Sequence, residues 1–144
     1  MEARFVVPGE PTGKGRPRFS SVGKYVKAYT PQKTVMYENL IKIEYQEQCR
    51  GIFFEREKPV SMTIDAYLSI PQSASKKKKQ QMLSGELRPL KKADSSNILK
   101  AVEDALNQVA YHDDVQVVET HISRFYGDQP RIEVTLKEIV YEED

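Results

Sequence analysis

The most regular stretch of this 144-residue sequence, residues 60–70, reads VSMTIDAYLSI. Apolar side chains occupy every even position from Val60 to Ile70, and Ser, Thr, Asp and Tyr occupy the odd positions. Successive side chains of a strand point to opposite faces of a sheet. The alternation therefore predicts a half-buried strand that ends at Pro71, and the rest of the chain has to cover its apolar face.

Two stretches with helical spacing can provide that cover. Over residues 97–109 the apolar stripe consists of Ile98, Ala101, Val102, Ala105, Leu106 and Val109. This stripe predicts a helix that faces the core, with Ser95 or Ser96 as its N-cap. An earlier helix is predicted from Thr30-Pro31 to about residue 49. Its apolar positions at helical spacing are Val35, Met36, Leu40 and Ile43.

The first part of the chain contains shorter patterns. Residues 3–7 predict a strand. Residues 9–29 are rich in Gly, Lys and Arg, and they predict an extended loop or an irregular hairpin. Residues 73–83 predict a short, strongly basic helix that ends at Ser84-Gly85.

Residues 115–125 and 131–140 predict two strands, which the turn at residues 127–130 joins as a hairpin. Helices beside a mainly antiparallel or mixed sheet of about four strands define an α+β fold. The length favours one domain over residues 1–144, with two main helices and a short basic helix.

The composition excludes several classes of protein. With 39% hydrophobic and 30% charged residues, the chain is ordinary for a globular domain and unlike a disordered protein. We expect no membrane partner, because no apolar run approaches the ~18 residues of a membrane span, and the first residues lack a signal-peptide pattern. The single cysteine, Cys49, favours the reducing cytoplasm.

The net charge of +1 is the sum of opposed segments. Residues 1–30 carry +4 and residues 72–100 carry +6, whereas residues 31–71 carry −1 and residues 101–144 carry −8. This asymmetry indicates a basic binding surface next to an acidic element. The alternative interpretation is a set of solvated charged faces.

Three acidic residues lie where a metal site needs them. Asp94 precedes the strongest predicted helix, Asp113 and Asp114 follow it, and Lys100 lies one turn inside. Mg²⁺ takes oxygen ligands and activates water or a phosphodiester, and a lysine neutralises charge on the phosphate. The alternative is that Asp94 caps the helix and that the paired acids are merely solvated.

A length argument separates these acids within one chain. The ends of a helix over residues 97–109 lie about 20 Å apart. Residues 110–113 retrace at most about 14 Å. On this argument Asp94 and Asp114 of one chain do not reach the same ion, and a two-fold dimer that shares its metal sites is the simplest solution.

Two basic segments are candidates for binding a DNA backbone. Glycines and aromatic residues alternate with cations in residues 13–29, and four lysines surround the short helix. Cations neutralise phosphates, and aromatic rings stack on bases. The predicted DNA-binding residues are Lys14, Arg16, Arg18, Lys24, Lys27, Lys76, Lys77, Lys78, Lys79, Lys91 and Lys92. A solvated helix or a chance likeness to a nuclear signal is the alternative for residues 76–79.

The second half of the chain resembles the signature of the RusA-type Holliday junction resolvases. That family has the pattern Asp-x-Asp-Asn-x-x-Lys, then Asp-Ala-Leu, then Asp-Asp-x-Gln-Val. The corresponding stretches read DSSNILK at residues 94–100, DAL at 104–106 and DDVQV at 113–117. PGEPTGKGRPR at residues 8–18 and YTP at residues 29–31 are also similar to family members.

The resemblance implies a homodimeric endonuclease of DNA recombination and repair that cuts four-way junctions with Mg²⁺, for which Mn²⁺ can substitute. No small-molecule cofactor is implied. By motif match, Asp94 and Asp114 are catalytic, metal-binding carboxylates, Lys100 is the catalytic lysine, and Asp113 is a further metal ligand. Asn97 supports the site.

One position departs from the family pattern. Ser96 stands where the family has the second Asp of Asp-x-Asp-Asn. A neutral hydroxyl is a poor Mg²⁺ ligand, so the site has one negative charge fewer. The alternatives to an active nuclease are a non-catalytic module that binds branched DNA or RNA and, from a third class, a protein-interaction domain.

Overall fold

The computed structural model describes residues 1–141. It contains six strands and three α-helices, with a single 3₁₀ turn at Asp114–Gln116. In chain order the elements are β1 (Glu2–Pro8), β2 (Arg18–Val22), β3 (Tyr25–Tyr29), α1 (Gln32–Gln48), β4 (Val60–Ser69), α2 (Lys76–Ser84), α3 (Ser95–Leu106), β5 (Val117–Gly127) and β6 (Arg131–Glu138).

A four-stranded mixed sheet in the order β1-β6-β4-β5 forms the centre of the fold. β4 alternates along its whole length between buried and half-buried side chains, as the sequence predicts. Val60, Met62, Ile64, Ala66 and Leu68 are all fully buried. The α+β class is therefore confirmed, and the apolar face of β4 is the floor of the core.

The predicted hairpin of β5 and β6 is wrong, because β4 lies between these two strands. β4 pairs in parallel with β5 and antiparallel with β6. The loop that joins β5 to β6 crosses the end of β4, and Gly127 permits this because an added Cβ would lie 3.0 Å from Cβ of Tyr67. Alternation identifies the faces of a strand, but it does not identify the strand's neighbours.

α1 packs against α3 and β1, but with a different face from the one that the aliphatic pattern indicates. Its buried residues are Thr34, Tyr37, Ile41 and Tyr45. Met36 is 64% exposed and Ile43 49% exposed. Tyr45 packs edge-on against Phe5, and its hydroxyl donates to the carbonyl of Ile52 at 2.7 Å. The buried face of α1 is therefore the one that carries its tyrosines and not the one that carries most of its aliphatic residues.

The helix boundaries also differ from expectation at several ends. α1 begins after Pro31, which has no side-chain capping bond, so Thr30 is not its cap. α3 is capped by Asp94, not by Ser95 or Ser96, and ends at Leu106. The short basic helix α2 is confirmed, but it begins at Lys76 after the cap Ser75 and not at residue 73, and Gly85 is its left-handed C-cap at φ 86°.

β2 and β3 form a separate two-stranded sheet, which confirms the irregular hairpin among the alternatives for residues 9–29. Every residue of β3 is exposed. Tyr25 is 80% exposed and Phe19 70% exposed. We call residues 18–29 the arm, since they extend from the body with aromatic and basic side chains in solvent. No helix within residues 1–141 is long and apolar enough to cross a membrane.

Candidate active site

The N-terminal turn of α3 is organised around Asp94. Its carboxylate accepts the backbone N–H of Asn97 at 2.9 Å and the side-chain amide of Asn97 at 3.3 Å. Such a cap satisfies one of the free N–H groups of the helix and places negative charge at its positive end. Asp94 is exposed. It is therefore a structural cap whose carboxylate still faces solvent.

Ser96 interacts with Asp94 directly. Its hydroxyl lies 3.3 Å from Oδ1 of Asp94 and donates to that oxygen. A carboxylate at this position would instead repel Asp94 unless a cation lay between them. The serine thus stabilises the lone carboxylate and contributes no charged ligand of its own.

The glycine-rich loop ahead of the arm packs on α3 and α1. The backbone N–H of Lys14 donates to the carbonyl of Asn97 at 2.9 Å. A Cβ on Gly13 would lie 2.9 Å from Cβ of Asn97, and a Cβ on Gly15 3.0 Å from the Thr34 hydroxyl. These glycines allow close contact between protein segments, a role that the sequence alone did not reveal.

Lys14 connects this loop to both helices through ion pairs. Its ammonium lies 2.6 Å from Glu38 and 3.0 Å from Asp104, and its side chain is only 24% exposed. Burial lowers the pKa of Lys14, but the hydrogen bonds to the two carboxylates outweigh it and hold the pKa above its usual value. Lys14, predicted to bind DNA, therefore contacts protein carboxylates.

Replacing Lys14 with Met should lower the free energy of unfolding by about 1–3 kcal/mol, because Glu38 loses its half-buried partner. Lys33→Met on the exposed side of α1 is the matched control, with an expected change within about 0.5 kcal/mol. Urea denaturation of both variants measures the difference. Equal stability of the two variants would show that the ion pairs do not anchor the loop.

Asp104 also holds Lys100, one turn away on α3. The ammonium of Lys100 lies 3.3 Å from Oδ1 of Asp104, and the lysine side chain is 56% exposed. The hydrogen bond and the charge of Asp104 raise the pKa of Lys100, and Asp114 contributes to the same shift. Lys100 therefore remains a cation, and it lies within electrostatic range of Asp114.

Asp113 and Asp114 form a pair of neighbouring carboxylates at the start of the 3₁₀ turn. Burial raises the pKa of Asp114, and the hydrogen-bonded Asp113 carboxyl raises it further. Burial likewise raises the pKa of Glu103, with Asp114 as the next contribution. Two neighbouring aspartates have the donor chemistry of a divalent-cation site, because Mg²⁺ uses one or two carboxylates and completes its shell with water and phosphate.

Gln116 is a residue that we did not single out from the sequence, although it belongs to the DDVQV stretch. It is buried, and its amide oxygen accepts the backbone N–H groups of His112 at 2.8 Å and Asp113 at 3.2 Å. Its amide nitrogen donates to the carbonyls of Phe54, Glu55 and Lys58. Gln116 thereby fixes the backbone ahead of Asp114 to the segment before β4.

The sequence argument that Asp94 and Asp114 of one chain cannot reach the same ion assumed a helix that ends at residue 109. α3 ends three residues earlier, at Leu106. Seven residues, 107–113, therefore connect the end of α3 to Asp114. Fully extended, they span up to about 25 Å, so reach alone no longer requires a second subunit. Within the described residues, no three His, Cys, Asp or Glu side chains form a metal-binding group. Asp94 therefore does not join Asp113 and Asp114 in a three-ligand cluster.

The other predicted DNA-binding residues are exposed: Arg16 lies in the loop ahead of the arm, and the rest lie on the arm, on α2 and in the loop before α3. Lys91 differs from the rest, because its ammonium donates to the carbonyl of Ser69 at 2.8 Å. Within residues 1–141, no ion pair involves any of the following: Arg16, Arg18, Lys24, Lys27, Lys76, Lys77, Lys78, Lys79 and Lys92. These cations are available to an external anion.

A polar cavity of about 630 Å³ opens beside Asp113. Arg56, Asn107 and His112 line it, and the ring of His112 packs edge-on against Phe53 at 5.0 Å. The same imidazole lies 3.5 Å from the Glu55 carboxylate. Asp113, the first of the paired acids, thus lies on the wall of a concave surface.

Comparison with known proteins gives two results. The family model for endodeoxyribonuclease RusA matches residues 8–137 of the chain. A Bacillus subtilis (strain 168) protein, named uncharacterized protein YqaN, is 38% identical over 138 residues, which cover 94% of this chain and 96% of that protein.

Proposed function

Because the chain belongs to the RusA endodeoxyribonuclease family, we propose that it is a divalent-metal-dependent endonuclease that resolves four-way DNA junctions in recombination and repair. The observation that carries the proposal is the Asp113-Asp114 pair at the start of the 3₁₀ turn, together with the Lys100 ammonium that lies 3.3 Å from Asp104 on α3 and whose pKa the charge of Asp114 also raises. Acids that hold a cation, next to a lysine cation, suit the cleavage of a phosphodiester.

In this proposal Asp113 and Asp114 hold Mg²⁺ or Mn²⁺, and Asp94 serves as a further carboxylate. A divalent cation held there would supply Lewis-acid polarisation of the scissile phosphodiester and a more acidic coordinated water molecule. Asp104 orients the ammonium of Lys100, which stabilises the negative charge that develops on the phosphate. Gln116 holds the acids in place through the backbone.

The exposed cations of the arm, of α2 and of residues 91–92 hold the DNA backbone. A branched substrate is recognised by shape, so phosphate contacts dominate the affinity. The logarithm of the binding constant should fall with the logarithm of salt concentration, with a slope of about −0.9 for each phosphate that the protein neutralises.

A homodimer completes the proposal. Two subunits related by a two-fold axis present two sites to a junction that has the same symmetry, and this arrangement yields paired cuts. In this arrangement Asp94 of one subunit would share a metal site with the acid pair of the other, since no three-ligand group forms within the described residues of one chain. Sedimentation equilibrium measures the mass of the free protein, and a monomer at every concentration would contradict the proposed homodimer.

The single buried Cys49 is consistent with a protein of the reducing cytoplasm, which is the compartment that we propose.

The direct test is cleavage of a fluorescent mobile four-way junction. We expect paired cuts in opposed strands with Mg²⁺ or Mn²⁺, none with EDTA, and weak activity on a duplex of the same sequence. Salt-dependent binding to the junction with no cleavage under any of these conditions would instead favour a non-catalytic DNA-binding module. The observation that favours that second function is the hydroxyl of Ser96 in the place of a carboxylate.

Ser96→Asp should raise the rate of metal-dependent cleavage about tenfold or more, since it adds a second carboxylate beside Asp94. The variant should also gain more thermal stability from added Mg²⁺ than the natural chain does. Ser95→Asp is the matched control, because it adds the same charge to the same turn. If both variants bind junctions and neither they nor the natural chain cut, the proposed nuclease is wrong for this protein.

A further inference from the structure

Leu90 is the most exposed large hydrophobic residue that the structure describes, with 96% of its surface in solvent. It lies in the loop between α2 and α3, four residues ahead of Asp94. Single exposed leucines are common on protein surfaces. This one is distinguished by the way in which its neighbours are held and by their charge.

The residues on both sides of Leu90 are attached to the end of the sheet. Nε of Arg88 donates to the carbonyl of Arg124 at 2.6 Å, and its guanidinium lies 4.0 Å from the centre of the Phe125 ring. Pro89 is buried. On the other side, Lys91 donates to the carbonyl of Ser69 at 2.8 Å. The leucine therefore projects from a loop that is fixed at both flanking positions.

Arg124 connects this tip to the candidate active site. Its guanidinium donates to the carbonyl of Lys91 and, at 3.0 Å, to the carbonyl of Ala93, the residue before Asp94. One side chain of β5 thus holds the backbone on both sides of Lys92. The position of Leu90 relative to Asp94 is set by the same contacts.

The positive charge of the residues around Leu90 indicates which kind of partner this loop binds. Arg88, Lys91 and Lys92 flank it, and the four lysines of residues 76–79 lie on α2 in the same basic segment. Such a surface attracts a polyanion. Apolar side chains with cationic neighbours insert between base steps of bound DNA, where unstacking costs a few kcal/mol. The cost is lowest where stacking is already interrupted.

We propose that Leu90 is a wedge that inserts into the base stack at the branch point of DNA held on this surface. The cations on either side bind the phosphates of the diverging strands, and the leucine replaces the lost stacking with an apolar contact. This inference rests on the proposed function and adds a determinant of selectivity for branched over continuous DNA.

The test uses the full chain and a four-way junction that carries 2-aminopurine at the branch point, whose fluorescence rises when the base unstacks. Binding is measured with Ca²⁺ in place of Mg²⁺ to prevent cleavage. We expect the natural chain to increase the fluorescence and Leu90→Ala to lose most of the increase. The variant should bind the junction about five- to tenfold more weakly, which corresponds to about 1–1.4 kcal/mol, while binding duplex DNA equally well.

Two control variants sharpen the result. Leu90→Met keeps a long apolar side chain and should retain the fluorescence increase. Leu83→Ala removes another exposed leucine, 56% exposed on α2, and should behave like the natural chain. If Leu90→Ala binds junctions and raises the fluorescence fully, the wedge is wrong while the proposed nuclease stands. If the natural chain binds no branched DNA, both proposals are wrong.

Discussion

Replacing Asp114 with Asn should lower the rate of metal-dependent junction cleavage by at least about 100-fold, or ~2.7 kcal/mol of transition-state stabilisation. The substitution keeps the shape of the side chain and removes one of the two neighbouring carboxylates that we propose as ligands. It also removes the repulsion between Asp114 and Asp113, which contributes to the raised pKa of Asp114. The variant should therefore melt at a slightly higher temperature without metal, and the stabilisation by added Mg²⁺ should be reduced.

This opposite effect on cleavage and stability separates loss of a ligand from damage to the fold. Asp128→Asn, in the exposed turn between β5 and β6, is the matched control and should change neither cleavage nor melting. The pair is measured both in the natural chain and in the Ser96→Asp background, so that a low natural rate does not conceal the loss. Unchanged cleavage by Asp114→Asn in both backgrounds would remove Asp114 from the proposed site.

Replacing Gln116 with Leu should lower the free energy of unfolding by about 3–5 kcal/mol, because it leaves several backbone groups without partners at a buried position. Leucine has nearly the same size, so the loss reports hydrogen bonds and not a cavity. The carbonyls of Phe54, Glu55 and Lys58 lose their donor, and the N–H groups of His112 and Asp113 lose their acceptor.

Two comparisons test this assignment. Gln116→Glu retains an acceptor but replaces the amide donor with a charge that faces three carbonyls, so it should be at least as unstable as the leucine variant at neutral pH. Gln80→Leu, exposed on α2, should change stability by less than about 0.5 kcal/mol. Faster hydrogen exchange at the amides of residues 112 and 113 should accompany the loss. Protection that stays unchanged there would contradict the role of Gln116.

The sequence predicted correctly those helices and strands whose apolar residues recur at one regular spacing along the whole element. β4 and α3 bury the faces that their patterns indicate, since nearly every residue of the pattern obeys it. α1 was not predictable from aliphatic spacing, because Tyr37 and Tyr45 pack their rings into the core and leave Met36 in solvent. The pairing of β5 was also beyond local patterns, since the partner of a strand depends on contacts far away in sequence.

The candidate site was predictable in its residue types but not in its supports. Asp94, Lys100 and the Asp113-Asp114 pair lie at the ends and on the surface of elements, as the motif indicates. The ion pairs of Lys14 with Glu38 and Asp104 form because the glycine-rich loop packs against both α1 and α3. Local sequence patterns do not predict such contacts between distant segments. Gln116 was similarly hidden, because an isolated glutamine has no signature of burial.

The strand order has a consequence for how the protein is made. Within residues 1–141, β1 pairs only with β6, so the first described strand finds its partner in the last one. At about 5–20 residues per second, the ribosome releases β6 roughly 6–26 seconds after β1. During that interval β1 has no neighbouring strand, and β4 has one open edge even if β5 has already joined it. The four-stranded sheet is therefore completed only after the synthesis of β6, when this strand enters between β1 and β4.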